Sequence, residues 1–265
     1  MVISKNIFLR SIEFVLFCIA IHSNSLRSQE IRQYVVKRAT APLTIDGHLT
    51  EPDWQAAAFS EKFVHYQDGL PANPSTQVKY LWDDQYLYIG FICQDPDVWA
   101  TMTERDDRLW HEDVVEIFCD PDGDGLNYCE IQVNPLGTIL DIFFEKPFAN
   151  GGIGNRTWNL DSLKTGVSVQ GTLNNKNDID TGWTAEVAIP FKELQFMAPS
   201  MNFPPHDGDK WRILTARYDY QRTEPQIVEA SSWNQTDSVG GFHVPSKFGC
   251  IIFSKETVTS INSTK

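Results

Sequence analysis

The stretch "DVVEIFCDPDGDGLNYCEIQVN", residues 113 to 134, decides the fold class. Its centre places Asp120, Asp122, Asp124 and Gly125 at positions 1, 3, 5 and 6 of an EF-hand calcium loop. The pattern fails at position 12, where Ile131 stands and Glu130 falls one short. The flanks fail as well. An EF-hand needs a helix on each side, whereas "DVVEIFC" and "YCEIQVN" are short, β-branched and aromatic, and read as strands. The Asp-Gly run is therefore the turn of a β-hairpin. Asp120, Asp122 and Asp124 still suit a structural calcium ion held together with backbone carbonyls and water. They equally suit a solvated turn that uses Asp and Gly for their backbone tolerance.

Side chains alternate between the faces of a strand, so each strand of the hairpin divides into two sets. Val115, Ile117, Cys119, Cys129, Ile131 and Val133 form an apolar face. Glu116, Glu130, Gln132 and Asn134 share the other with Val114, Phe118 and Tyr128. A turn that pairs Cys119 with Asn127 sets Glu116 directly opposite Glu130, Phe118 opposite Tyr128 and Val114 opposite Gln132. Opposed like charges are unfavourable and call for a cation, an arginine or a shared proton; Arg217, in "RILTARYDY", is one candidate partner. The same register leaves Cys119 and Cys129 as diagonal neighbours, ~7–8 Å apart, so both are expected as buried free thiols. Trp110 stands just ahead of the first strand, in "RLWHEDVVE". An aromatic beside amides and carboxylates suits sugar recognition, the ring stacking on sugar C–H groups and the polar groups binding hydroxyls.

Outward from the hairpin, short strands recur at near-regular spacing, broken by Gly, Asn, Asp and Pro. They are "TQVKYLWDDQYLYIGFICQD" (76–95, two strands joined at Asp83-Asp84), "TILDIFFE" (138–145), "GVSVQGTLNN" and "GWTAEVAIPF" around a turn at 174–182, "KWRILTARYDY" (210–220) and "SKFGCIIFS" (246–254). Helical turns are expected only after "LTIDG", around Trp54, and in "FKELQF" (191–196). This pattern predicts an all-β protein: a single antiparallel β-sandwich, jelly-roll-like, over residues 33–255, with a flexible tail at 256–265.

The 265-residue chain is 42% hydrophobic, enough for a real core, and its net charge of −13 disfavours nucleic acid and anionic membrane surfaces as partners. Lys5, Arg10, the apolar run "VLFCIAI" (15–21), Ser23 and Ser25 read as a signal peptide over 1–25, cleaved between 22 and 29. The run is too short to span a membrane, so the expected location is exported: secreted, periplasmic or cell-surface.

Five blocks in order, "TIDGHLTEPDW", "VKYLWDDQYLYIGF", "LWHEDVVEIFCDPDGDGLNYCEIQVNPLGT", "GWTAEVAIPF" and "PSKFGCIIF", resemble the family-9 carbohydrate-binding modules and their stand-alone bacterial relatives, from Ile45 to Phe253. The resemblance implies a non-catalytic β-sandwich that binds poly- or oligosaccharides of the plant cell wall, often with structural calcium and often attached to glycoside hydrolases. Trp110 and Glu116 match the family's Trp-x-x-Asp-x-x-Glu block, whose Trp stacks on sugar and whose Glu binds hydroxyls. Gln132 and Asn134 match its polar strand. Phe242 stands nearest the second stacking aromatic, and Trp233 matches a further Trp that supports the site. Two other readings stay open. In a glycoside hydrolase, Glu116 and Glu130 would be carboxylates ~5–9.5 Å apart across the bond. A haem domain of related type would use Met102 with His111, or Met197 with His206, as axial ligands.

Overall fold

The computed structural model describes residues 30–223, 226–236 and 240–258; the expected signal peptide at 1–25 lies outside them. Among the described residues the chain forms strands β1 (Gln33–Arg38), β2 (Val64–His65), β3 (Thr76–Trp82), β4 (Tyr86–Gln94), β5 (Val114–Asp120), β6 (Tyr128–Val133), β7 (Ile139–Phe144), β8 (Gly154–Asn155), β9 (Lys164–Gln170), β10 (Gly182–Pro190), β11 (Lys210–Gln221), β12 (Ile227–Ser232) and β13 (Gly249–Thr257). The helical turns are α1 (Pro52–Ala56), which carries Trp54, and α2 (Phe191–Leu194). No described helix is long and apolar enough to cross a membrane.

One hydrogen-bonded ladder runs β8-β7-β6-β5-β11-β13-β1-β3-β4-β10-β9, with β12 on β11 and β2 on β12. It folds over on itself as a β-sandwich. Val115, Ile117, Cys129, Ile131 and Ile213 from one side join Val78, Tyr80, Ile89, Phe91, Trp183 and Val187 from the other in a single buried cluster. Period-2 alternation in each strand supplies these inward residues, as expected for facing sheets. The ladder is antiparallel except at β1, which pairs parallel with both β13 and β3. Strand β1 was not among the runs singled out in the sequence. It belongs to the sheet because strands from both ends of the domain bracket it. The last strand also extends to Thr257, into the stretch expected as tail.

Glu186 explains the first resemblance block. Its fully buried carboxylate accepts the backbone N–H groups of Asp46 (2.9 Å) and Gly47 (2.7 Å) and the indole N–H of Trp54 (2.6 Å). The "IDG" turn and α1 are thereby tied to β10. Gly47 is required there, at φ 86° with a would-be Cβ only 2.4 Å from the Val167 carbonyl carbon.

The central hairpin differs from the expected register by two residues. Cys119 pairs with Cys129, Phe118 with Glu130 and Glu116 with Gln132. The turn is wider than a tight one because Asp120 accepts hydrogen bonds from the backbone N–H groups of Gly123 and Gly125, both at 3.0 Å, and Asn127 turns the chain at φ 47°. A slip of two leaves every side chain on its expected face. It brings Cys119 and Cys129 directly opposite rather than diagonal; both are buried free thiols. It also moves Glu116 and Glu130 from direct opposition to a diagonal.

Candidate functional site

The outer face of β5, β6 and β11 is covered by a second apolar cluster, including Leu109, Phe118, Leu140, Phe144, Phe242 and Phe248. Within it lies a pocket of about 330 Å³. Its floor is Glu116, Glu130 and Gln132, and its walls include Trp110, Ile142, Phe144, Phe148, Tyr218, Phe242 and His243.

The corrected register builds the floor. Gln132 stands opposite Glu116 and two residues along from Glu130, so its side-chain amide reaches both carboxylates, donating to Glu116 at 2.8 Å and to Glu130. Its own Oε1 is buried with no hydrogen-bond partner. The pocket floor therefore joins two acids through one amide nitrogen, and leaves that amide's oxygen buried without a partner. Burial, and then the charge of Glu130, hold the Glu116 carboxyl well above the usual range. Burial raises Glu130 to about 7, against the opposing pull of Gln132 and of the Arg156 charge. His243 Nε2 lies 3.5 Å from Glu130, and its Nδ1 is 3.0 Å from the Tyr128 hydroxyl. Burial lowers this imidazole to about 4, so it is neutral at pH 7.

Trp110 is held by its loop. It sits in a short 3-10 turn, Leu109–His111, whose Leu109 is fully buried. The Trp110 carbonyl accepts from the Tyr220 hydroxyl at 2.6 Å. Just beyond the turn, the buried Glu112 accepts from Thr101 N (2.6 Å), Met102 N and Asn134 Nδ2 (2.7 Å). Asp113 binds the N–H groups of Trp99 and Tyr220. Arg156 places its guanidinium 5.7 Å from the Trp110 ring centre and donates to the Asp106 carbonyl.

Of the residues singled out in the sequence, Trp110, Glu116, Gln132 and Phe242 line this pocket, and Asn134, Arg217 and Trp233 do not. Asn134 is fully buried in the β6–β7 turn, where its Oδ1 accepts from Leu136 N and Thr138 N. Arg217 is corrected most sharply. Odd-numbered residues of β11 point away from the pocket, so it cannot pair with Glu116 and Glu130. Instead it binds Asp95 and Asp219, both at 2.8 Å, with the Gln94 carbonyl at 2.7 Å. Trp233 is fully buried against Tyr80, its indole N–H on Glu61. Phe242 lines the pocket yet is only 3% exposed, wedged against Tyr66, Phe118 and Tyr218. Sequence reasoning missed Tyr218, His243 and the pair Phe144 and Phe148. The parity of β11 and β7 could have found Tyr218 and Phe144, while loops carry the other two. Neither Met–His pair lines the pocket: Met197 is in the main core and His206 is exposed, and His111 points to solvent beside Trp110.

Asp120, Asp122 and Asp124 bring one carboxylate oxygen each within 4.8 Å of the others. All three also accept from their own loop: Asp120 from Gly123 N and Gly125 N, Asp122 from Asp124 N at 3.4 Å, and Asp124 from Leu126 N at 2.7 Å.

The raised carboxyls set a pH dependence. Glu130, Glu186 and Asp120, each pushed up to about 7 by burial, and Glu116 all hold protons more tightly folded than unfolded. For Glu130, Glu186 and Asp120 the resulting contribution to stability is full below about pH 4 and is lost as pH rises through 7, and Glu116 acts in the same direction. His243 opposes this between about pH 4 and 6.5. Four acids outweigh one imidazole, so the urea midpoint should be higher at pH 5.5 than at pH 8, by roughly 2 kcal/mol in unfolding free energy. In Glu116→Gln the difference should shrink; an unchanged slope would place the proton elsewhere.

Comparison with known proteins agrees with this architecture. The chain is 28% identical over 210 residues to endo-1,4-beta-xylanase A of Thermotoga maritima, covering 77% of this chain and 16% of that protein. The chain thus spans 16% of the length of the curated relatives it matches. A family 9 carbohydrate-binding module from Caldicellulosiruptor kristjanssonii, solved with cellotriose, superposes with a TM-score of 0.57 at 15% identity, covering 88% of this chain and 98% of that one. A crystal structure from Bacteroides uniformis gives a TM-score of 0.64 at 17% identity, covering 85% of this chain and all of that one. At these identities the two structures attest the fold. The profile described as "Carbohydrate family 9 binding domain-like" matches residues 45–256, most of the chain, and the chain therefore belongs to that family.

Proposed function

We propose that the protein binds carbohydrate without cleaving it, the sugar lying in the pocket against Trp110 with its hydroxyls on Glu116, Glu130 and Gln132. The observation that carries this is the floor itself: two carboxylates bridged by the Gln132 amide, whose oxygen has no partner, walled by aromatic rings. A sugar supplies what such a site lacks, since vicinal hydroxyls donate to acceptors and C–H faces cover aromatics. Family membership and the sugar-bound relative support the reading. Hydrolysis fits the floor less well. A glycosidase separates its acid from its base by giving them different environments, whereas Glu116 and Glu130 share one amide and are both raised by the same burial. The xylanase likeness supports a role beside polysaccharide-degrading enzymes. Titration calorimetry against cello-, xylo- and manno-oligosaccharides tests the proposal. Saturable heat supports it, and flat traces from well-folded protein across the panel overturn it.

The Asp120–Asp124 turn suits calcium as a structural ion, which would add its charge among three carboxylates. Millimolar Ca²⁺ is then expected to raise the melting temperature by a few degrees, roughly what about 1 kcal/mol of linkage gives. Asp122→Asn with Asp124→Asn should abolish the shift. No shift in the parent protein would reject the site.

A further inference from the structure

We propose that Phe148 is the second aromatic platform of the pocket, in place of Phe242. The inference rests on the carbohydrate-binding reading and names the residue that completes it. The position before the "PSKFG" block, where a second stacking ring is expected, holds Phe242, and that ring is not available. It is 3% exposed, and Tyr66 (5.2 Å between ring centres), Tyr218 (5.2 Å) and Phe118 (6.1 Å) surround it. A ring so enclosed contributes packing, not a surface on which a sugar can lie.

Phe148 has the opposite character. It lines the same pocket as Trp110 and is 50% exposed. An exposed aromatic on a polar, acidic surface is the informative kind of exposure, because burying it would be favourable. The ring is also held in place. It makes T-shaped contacts with His243, 4.4 Å between centres at 63°, and with Phe144, 5.1 Å at 87°. Contacts of this kind hold the ring in place while half of its surface stays open.

The backbone beneath it is closed tightly. Asn150 N and Gly152 N donate to the Pro147 carbonyl, at 2.9 and 3.0 Å, and Gly151 N donates to the Phe148 carbonyl at 2.9 Å. Gly151 takes φ 75°, and a Cβ on Gly152 would sit 1.7 Å from the Lys146 carbonyl oxygen. The turn is pinned by these three backbone hydrogen bonds, which lowers the ordering cost of presenting Phe148 to the pocket. Trp110 arrives from the loop before β5 and Phe148 from the loop after β7, so each sugar platform belongs to a different loop flanking the shared carboxylate floor.

The test is calorimetry of the wild-type chain, Phe148→Ala, Phe148→Trp and Phe242→Ala against cellotriose, xylotriose and mannotriose, with melting temperatures measured in parallel. Phe148→Ala should weaken the sugar that binds wild type by about tenfold or more, with the melting temperature within about 2 °C. Phe148→Trp should retain or improve affinity. Phe242→Ala should lower the melting temperature by several degrees, as loss of a buried ring does. If wild type binds and Phe148→Ala binds equally well, Phe148 is not a platform and the carbohydrate reading survives without it. If wild type binds none of the three, both fall together.

Discussion

Trp110→Ala is expected to remove measurable sugar binding while leaving the fold intact. A central aromatic platform carries a disproportionate share of binding energy, of the order of 2–4 kcal/mol, which is roughly a 30- to 1,000-fold loss in affinity. For a module binding at micromolar strength or weaker, that places the variant beyond calorimetric detection. The fold should survive because the ring is half-buried and its loop is anchored independently. Leu109 is in the outer cluster, Glu112 holds Thr101 and Met102, and Tyr220 holds the Trp110 carbonyl. Trp110→Phe should recover part of the affinity. Binding by Trp110→Ala at wild-type strength would move the ligand away from this pocket altogether.

Arg217→Met should have the largest effect on stability. The guanidinium is 1% exposed, and it neutralises Asp95 and Asp219, themselves 2% exposed, while donating to the Gln94 carbonyl and Thr76 Oγ1. Asp113 lies within the same cluster of carboxylates. Breaking a buried pair from one side typically costs about 3–5 kcal/mol, because the stranded charges stay in the interior. Against a total of ~5–15 kcal/mol, that is a large part of the whole. Urea unfolding of the variant should show a midpoint reduced by about a fifth or more. A loss below about 1 kcal/mol would mean that water reaches the cluster and solvates it. The side chain faces away from the pocket, so whatever fraction stays folded should bind sugar normally. Trp110→Ala, in the loop before β5, and Arg217→Met, on β11, thus separate recognition from stability.

The hairpin shows how far local sequence reaches. Alternation assigned Val115, Ile117, Cys119, Cys129, Ile131 and Val133 to the core, and all of them are there. It also put Glu116, Glu130 and Gln132 together on the outer face, where the pocket floor is found. Face is legible because the pleat has period two, and a register error of two residues leaves it unchanged. Register itself was not legible. It depends on how Asp120 gathers Gly123 and Gly125, a choice made by loop hydrogen bonds that the residue pattern of the strands does not encode. That error mattered chemically, since direct opposition of Glu116 and Glu130 called for an arginine, and diagonal placement let Gln132 bridge them instead.

The remaining divergences share one cause, the meeting of residues far apart in the chain. Arg217 was assigned to the wrong partners because its strand's parity against β5 follows only from the β5–β11 pairing. Trp233 and Asn134 look like recognition residues in sequence, being an aromatic and an amide near the right blocks. Packing of Trp233 against Tyr80, and the turn that absorbs Asn134, use both for structure. Phe148 and His243 carry no local signal at all, because each sits in a loop whose neighbours are contributed by other strands. The sequence by itself determined the all-β class, the short helical turns, the inward faces and the family, all properties of short-range periodicity or of motif order. Tertiary structure alone decided register, the partners of the buried charges and which aromatic rings remain exposed, because burial and ion pairing depend on contacts between distant segments.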